Sequence, residues 1–272
     1  MITRIVTAHE YEEYANAPET LYKYRDWNAP FHNSILTRRE VFFAAPNTFM
    51  DPLDCKNPVR YDLLSKKEIN QLYANRLNSE QGMSRQARRL KARELNRNSN
   101  VRNKEFVEKH NEETFNEYCK RAGVLSLTAD PLNVRMWEKY SDKHQGFCVG
   151  FDTKIASDFF GAAGPVFYDR ELPIIYPEPK HSFLKQHITR IFHKEEKWAF
   201  EKEYRTHKFM GHPMSIKDRT VKLPPEAYKE VILGARMPEM TKQDISNSLP
   251  DELKHLPIKQ ASFLGNGEIK IL

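Results

Sequence analysis

Short runs of alternating apolar and polar residues lie on both sides of one long helical stretch. The alternation predicts strands at 21–25, 41–45, 124–129, 146–151, 166–168, 203–209, 221–223, 230–233, 259–263 and 268–271. Apolar residues at helical spacing predict short helices at 34–39, 132–141, 182–197 and 241–249. Because the strands are short and do not alternate regularly with helices, the pattern favours an α+β fold with a largely antiparallel sheet and flanking helices.

Residues 62–122 have a different pattern. They contain no Pro and a single Gly, Gly82, and Ser65 followed by Glu68 is typical of a capping box at a helix start. Sparse apolar residues then recur at helical spacing, and Gly123 is a candidate C-cap. The stretch predicts an inserted arm of two or three largely solvated helices, which divides a core domain made of residues 1–61 and 123–272.

The net charge of +6 has its origin in this arm. Segment 85–104 carries one acid, Glu94, and eight basic residues, which are Arg85, Arg88, Arg89, Lys91, Arg93, Arg97, Arg102 and Lys104. Such a run can bind the phosphates of a nucleic acid, or it can be a solvated helix face. The interpretation as a nucleic-acid-binding segment assigns the contacts to Arg85, Arg88, Arg89, Lys91, Arg93 and Arg97. Stacking on single-stranded bases is not predicted there, because no aromatic residue interrupts the run.

Several protein classes do not fit the sequence. The longest apolar run, 41–45, is far shorter than the roughly 20 residues of a membrane helix, and residues 1–4 lack the pattern of a secretory signal. Cys55, Cys119 and Cys148 are odd in number and too widely spaced for a CxxC zinc pair. We therefore expect a cytoplasmic protein with reduced thiols, no membrane contact and no metal site.

The first candidate site segment is the strand that contains Lys23, Tyr24 and Arg25. Side chains alternate along a strand, so Lys23 and Arg25 lie on the same side. Two cations beside aromatic rings suit a phosphate and a base, although a surface strand with solvated charges has the same pattern. Asp51 and Asp54 could orient these cations or could form a turn.

The second segment is a short aromatic helix followed by a turn. Met136 and Trp137 indicate a helix face that packs on the sheet. Tyr140 and His144 lie where the helix ends, and polar groups there can point into a cleft. A histidine in that position can serve as acid, base or hydrogen-bond donor.

The third segment contains two carboxylates two residues apart. Read as the entry to a strand, it puts Glu201, Glu203 and Arg205 on one face. One carboxylate can then be held by the arginine while the other contacts substrate or stabilises a cation. A ladder of cross-strand ion pairs would give the same sequence.

The combined motifs resemble the prokaryotic domain-of-unknown-function family 2971. The resemblance runs from about residue 21 to 235 and is interrupted by the helical arm. It rests on LYKYR (21–25), FFAAPNTFMDPLDC (42–55), MWEKYSDKHQGFC (136–148) and WAFEKEYR (198–205). Met50 departs from the family pattern, which usually has Asn before Asp-Pro, so any polar contact of that Asn is missing here.

The layout also resembles, more weakly, that of ADP-ribosyltransferases. In that layout a basic residue of the first strand holds NAD, and a late Glu stabilises the ribosyl cation that forms as nicotinamide leaves. The resemblance implies Lys23, Tyr24 and Arg25 as NAD-binding residues, Glu203 as the catalytic carboxylate, Glu201 as the residue that orients the acceptor, and Tyr140 and His144 as pocket residues.

The resulting hypothesis is a bacterial NAD-dependent transferase, which binds a nucleotide in a cleft and a nucleic acid through the arm. Toxin or phage-defence roles would suit that activity. One alternative is a Mg²⁺-dependent nuclease or phosphohydrolase that uses Asp51, Asp54, Glu201 and Glu203. Another is a sensor or adaptor without enzymatic activity.

Overall fold

A computed structural model describes residues 17–79, 82–101, 103–161 and 163–272. Its strands are β1 (Thr20–Arg25), β2 (Glu40–Phe42), β3 (Ala122–Thr128), β4 (Phe147–Asp152), β5 (Gly164–Pro165), β6 (Phe167–Asp169), β7 (His193–Glu195), β8 (Glu203–Phe209), β9 (Thr220–Lys222), β10 (Tyr228–Leu233), β11 (Ile258–Phe263) and β12 (Ile269–Ile271). Eight of them form one sheet in the order β12-β11-β10-β4-β1-β3-β8-β5, and β10 and β11 are its parallel pair. The predicted α+β fold with a largely antiparallel sheet is confirmed.

The helices flank this sheet. They are α1 (Ser34–Thr37), α2 (Lys66–Arg76), α3 (Arg85–Arg97), α4 (Lys104–Arg121), α5 (Val134–Tyr140), α6 (Thr153–Phe160), α7 (Phe183–Phe192), α8 (Ile216–Arg219) and α9 (Glu239–Ser248). The predicted capping box of α2 is confirmed, because Ser65 and Glu68 accept each other's backbone N–H. Within the described ranges, no helix combines the length and apolar composition that crossing a membrane requires.

Apolar side chains cover both faces of the sheet. On one face the core includes Leu21, Phe147 and Phe151, which pack with residues of α6 and α9. On the other face Tyr24 and Trp137 meet edge to face, with ring centroids 4.9 Å apart. Each buried side chain of this size contributes about 1.5–3 kcal/mol relative to an exposed one. Trp137 and Met136 in this second cluster hold α5 against the sheet.

The sheet opens between two neighbouring interior strands, β1 and β3. β1 pairs with β4 along its whole length, but it pairs with β3 only through Tyr22 and Thr128. Beyond that point the Nζ of Lys23 donates to the carbonyl oxygen of Ser126 at 2.5 Å and replaces a missing backbone partner. We call this opening the β1–β3 split.

The inserted segment forms α2, α3 and α4. α3 carries Arg85, Arg88, Arg89, Lys91, Arg93 and Arg97 and buries Ala92, whereas Arg102 lies outside the described residues. α4 is anchored differently, because Phe115 and Tyr118 are buried in a cluster with Phe209 of β8. The division into a core and an inserted arm stays a prediction.

Two local predictions are wrong. Gly123 does not cap α4, since the helix ends at Arg121 and Gly123 already belongs to β3; a Cβ there would lie 2.8 Å from the Cβ of Phe43. The helix predicted over 182–197 ends at Phe192. The following residues form β7, which pairs with β6 and turns Lys194 toward buried carboxylates.

Candidate functional site

Five charged side chains form one network on the face of β8 that packs against α7. We call it the charge network; its members are Asp54, Lys194, Glu201, Glu203 and Arg205. All five side chains are buried, with at most 6% of their surface exposed. Charged groups rarely lie so deep without partners, so the contacts within the network decide its properties.

Arg205 connects two of the carboxylates. Its Nη1 and Nη2 donate to the two oxygens of Asp54 at 2.8 and 2.6 Å. Its Nε and Nη2 donate to the two oxygens of Glu203 at 2.8 and 3.0 Å. Nη1 also donates to the carbonyl oxygen of Ile191 at 2.7 Å. Paired hydrogen bonds of this kind fix both carboxylates in place.

Lys194 connects all three carboxylates. Its Nζ lies 2.6 Å from Glu201, 3.2 Å from Asp54 and 3.4 Å from Glu203. Burial acts to lower the pKa of Lys194, but Glu203 and Asp54 outweigh it and the pKa is raised. Two cations therefore face three carboxylates, and one carboxylate lacks a full positive counter-charge.

The pKa values of the two glutamates shift in opposite directions in response to this surplus of negative charge. Burial acts to raise the pKa of Glu203, but the charges of Arg205 and Lys194 outweigh it and lower the pKa to about 2. For Glu201 burial and the charge of Glu203 prevail, and its pKa is raised above its ordinary value. Glu203 is thus the member of the pair that stays ionised at neutral pH, and Glu201 is the one that takes up a proton more readily.

The local backbone brings the pair together in an unexpected way. The prediction that Glu201 shares a strand face with Glu203 is wrong, because Glu201 ends the 3₁₀ helix Glu196–Glu201. Lys202 then adopts a left-handed conformation, with φ of 43°, and its side chain leaves the site to pair with Asp130 at 2.8 Å. The turn directs both glutamates to Lys194, although only Glu203 lies on β8.

Two tyrosines complete the surroundings of the pair. Tyr140, the last residue of α5, donates its hydroxyl to Glu201 at 2.5 Å. The backbone N–H of Glu203 donates to the hydroxyl of Tyr168 at 2.9 Å. The structure therefore brings Tyr140 together with the predicted carboxylates, and it adds Tyr168, which the sequence did not single out.

Lys23 of β1 lies at the β1–β3 split and interacts electrostatically with the pair, and Arg25 follows it on the same strand. Burial and the charge of Arg25 lower the pKa of Lys23 well below its ordinary value, whereas Glu203 and Glu201 oppose that change. Burial likewise lowers the pKa of Arg25 to about 10. Within the described chain, the Arg25 guanidinium has one hydrogen bond, a 3.4 Å contact with the carbonyl oxygen of Tyr24.

Tyr24, Asp51 and His144 lie elsewhere. The ring of Tyr24 packs on Trp137 in the core, and its hydroxyl donates to the carbonyl oxygen of Asp130 at 2.8 Å. Asp51 forms the predicted turn, because its carboxylate accepts the N–H of Leu53 at 3.1 Å. His144 is buried beside Glu138 and lines an open groove next to the network, so the structure does not bring it to the two glutamates.

Lys194 is another residue that the sequence did not single out. It stands in a charged run, 193–197, that the pattern assigned to a helix, and nothing in its neighbours distinguishes it from a solvated lysine. Asp54 was a candidate partner of Lys23 and Arg25, but its carboxylate binds Arg205 and Lys194 instead.

The carboxylates of the network are already engaged by cations. In the part of the chain that the structure describes, no group of three His, Cys, Asp or Glu side chains has the arrangement of a metal site. A divalent ion at Asp54, Glu201 and Glu203 would have to displace Lys194 or Arg205.

Comparison with known proteins gave a match for one segment of the chain. Neither curated proteins nor solved structures gave a match. The resemblance to ADP-ribosyltransferases therefore stays a prediction. A family model described as a protein of unknown function, DUF2971, matches residues 136–206, from α5 to β8. This span contains four of the five network residues, and the match supports the resemblance to that family.

Proposed function

We propose that the protein is an NAD-dependent transferase that moves ADP-ribose to a nucleic-acid or nucleotide acceptor. The observation that carries the proposal is the meeting of three sequence segments at one carboxylate pair. Tyr140 binds Glu201, Lys23 acts electrostatically on both glutamates, and the two glutamates have opposite pKa shifts.

Each group has a chemical role that fits its surroundings. Arg25 is a partly exposed cation that suits the pyrophosphate of a dinucleotide, and Lys23, whose Nζ donates to the carbonyl oxygen of Ser126, would lie beside it as a hydrogen-bond donor. When the bond between ribose and nicotinamide breaks, its electron pair leaves with nicotinamide and positive charge develops on the ribose carbon. Glu203, which stays ionised, would stabilise that charge.

Glu201 would act on the acceptor. Its raised pKa suits a group that accepts the proton lost by the attacking hydroxyl or amine as the new bond to the ribose carbon forms. Tyr140 and Lys194 hold the carboxylate in place. The donor side and the acceptor side of the reaction would then lie on opposite sides of the pair, with Lys23 on the donor side.

Incubation with labelled NAD and mixed nucleic acids tests the proposal. We expect nicotinamide release and a labelled product from the wild type, and a loss of at least 100-fold in Glu203→Gln. Glu230→Gln is the matched control, since Glu230 is a glutamate bonded to Tyr22 and Lys259 outside the network. Thermal melting of each variant separates lost chemistry from lost folding. A wild type that neither releases nicotinamide nor labels any acceptor would overturn the proposal.

One observation favours the alternative of a binding protein without enzymatic activity. Every carboxylate of the network is within 3.4 Å of a cation, which is typical of a purely structural network. In that case Glu203→Gln lowers the melting temperature but preserves the biological effect of the protein at permissive temperature.

A further inference from the structure

The groove that His144 lines is a second surface with its own chemistry. It has a volume of about 640 Å³ and lies between α5, the 3₁₀ helix Glu196–Glu201, and the segments after β10 and at the end of β11. This volume is in the usual range for binding sites of small molecules and nucleotides. Its wall includes Trp198, whose ring centroid lies 4.9 Å from the Nζ of Lys194 in the charge network.

Cations and aromatic rings alternate along the groove. The guanidinium of Arg135 lies 3.7 Å from the ring centroid of Phe200, and the Nζ of Lys139 lies 3.7 Å from that of Trp198. Arg236 is 5.2 Å from the ring of Phe263, which is 39% exposed. A planar guanidinium on a ring offers its outer face to a further planar group, and nucleic-acid bases stack on such surfaces.

The positive charge of the groove is not neutralised from within. Arg135, Lys139 and Arg236 are exposed, and none has a carboxylate within 4 Å among the residues that the structure describes. Glu138 is the acid in the lining, and it is engaged by His144 at 3.2 Å. An anionic ligand would therefore meet three available cations.

Two polar atoms in the lining lack partners. His144 is 2% exposed, and burial lowers the pKa of its imidazole, which is therefore neutral at pH 7. If Nε2 donates to Glu138, the buried Nδ1 is an acceptor, and it has no hydrogen-bond partner in the described chain. The indole Nε1 of Trp198 is a buried donor that likewise has no hydrogen-bond partner in the described chain. The residues that line the groove thus include one unsatisfied acceptor and one unsatisfied donor, and a base edge carries complementary groups.

We infer that this groove binds single-stranded nucleic acid. Bases stack on Arg135 and its supporting Phe200, while Lys139 and Arg236 contact phosphates. The aromatic rings distinguish the groove from α3, whose basic side chains have none between them. The binding does not depend on the proposed transfer reaction, although a strand held here would place an acceptor beside Glu201 and Tyr140.

Fluorescence anisotropy with labelled ten-nucleotide oligo-dT and oligo-dA, without NAD, measures this binding. We expect the wild type to bind both single strands more tightly than a ten-base-pair duplex. Phe200→Leu should weaken binding about 10-fold through lost stacking, and Phe159→Leu, at an exposed ring of α6, should not. Arg135→Gln should weaken binding in the same way as Phe200→Leu. Arg236→Gln, at a phosphate contact, should lower the slope of log affinity against log salt by about 0.7, unlike Lys217→Gln in α8.

Three outcomes would overturn the inference. The first is no binding of single strands at low salt, and the second is unchanged binding in both Phe200→Leu and Arg135→Gln. The third is competition by poly-glutamate as effective as by oligo-dT, because the groove would then recognise charge alone. A protein without NAD turnover that still binds oligo-dT through Phe200 would refute the proposed function and retain this inference.

Discussion

Replacing Arg205 by Met should be the most destabilising single change in the charge network. The side chain is 1% exposed, and its guanidinium makes two hydrogen bonds to Asp54, two to Glu203 and one to the carbonyl oxygen of Ile191. Met has a similar length and apolar character, so the substitution removes the charge and the donors while largely keeping the packing.

The structure sets the magnitude. Removal of one partner of a buried ion pair typically costs 3–5 kcal/mol, and Arg205 is paired with two carboxylates, so we expect about 5 kcal/mol. The total stability of a natural domain is about 5–15 kcal/mol, so the variant should be marginal. Without Arg205, three carboxylates would face Lys194 alone, and protonation of a carboxylate would reduce their mutual repulsion. The loss of unfolding free energy should therefore be larger at pH 8 than at pH 5.

Urea unfolding followed by circular dichroism is the assay. With a slope of about 3 kcal/mol per molar urea, the midpoint should fall by about 1.5 M or more. Arg170→Met is the control, because Arg170 is 88% exposed and its pair with Glu196 should contribute less than about 1 kcal/mol. Adding Asp54→Asn to Arg205→Met should recover stability. A loss below about 1 kcal/mol, or additive losses in the double variant, would refute the reasoning.

Three further predictions concern other parts of the molecule. Because the pKa of Glu203 is held near 2, ionised Glu203 stabilises the fold above about pH 4.5, and this contribution disappears as the pH falls toward 2. The urea midpoints of wild type and Glu203→Gln should therefore converge as the pH falls from about 4.5 to about 2. Arg89→Glu with Arg93→Glu in α3 should weaken binding of duplex DNA and flatten its salt dependence in filter-binding assays, without changing the melting temperature, if the arm contacts nucleic acid. Gly123→Ala should lower the melting temperature by several degrees, because its Cβ would lie 2.8 Å from the Cβ of Phe43, whereas Gly265→Ala meets open space.

Elements with a local signal could be predicted from the sequence. The alternation over 203–209 gives β8 with its observed bounds, and the capping box gives the start of α2. Strand periodicity also places Glu203 and Arg205 on one face, as they are in the structure. In each case neighbouring residues determine the conformation, so pattern and structure agree.

The site depended on contacts between distant segments. Lys194 is buried because carboxylates from residues 54, 201 and 203 surround it, and none of those partners is visible in its own stretch of sequence. The left-handed turn at Lys202 overrides the strand pattern for Glu201. His144 follows Tyr140 closely in the chain, yet its left-handed backbone, with φ of 73°, turns it toward the groove and away from the network.

The β1–β3 split has a consequence for the motions of the sheet. Among the residues that the structure describes, the hydrogen bonding between β1 and β3 is limited to the pairing of Tyr22 with Thr128 and the contact between Lys23 and Ser126. The five strands from β12 to β1 and the three strands β3, β8 and β5 are therefore expected to exchange their amide hydrogens as two cooperative units. A brief separation at the seam would admit solvent to Glu203 while each half stays folded. The buried carboxylates would then be reachable through sub-global opening, at a free energy below that of complete unfolding.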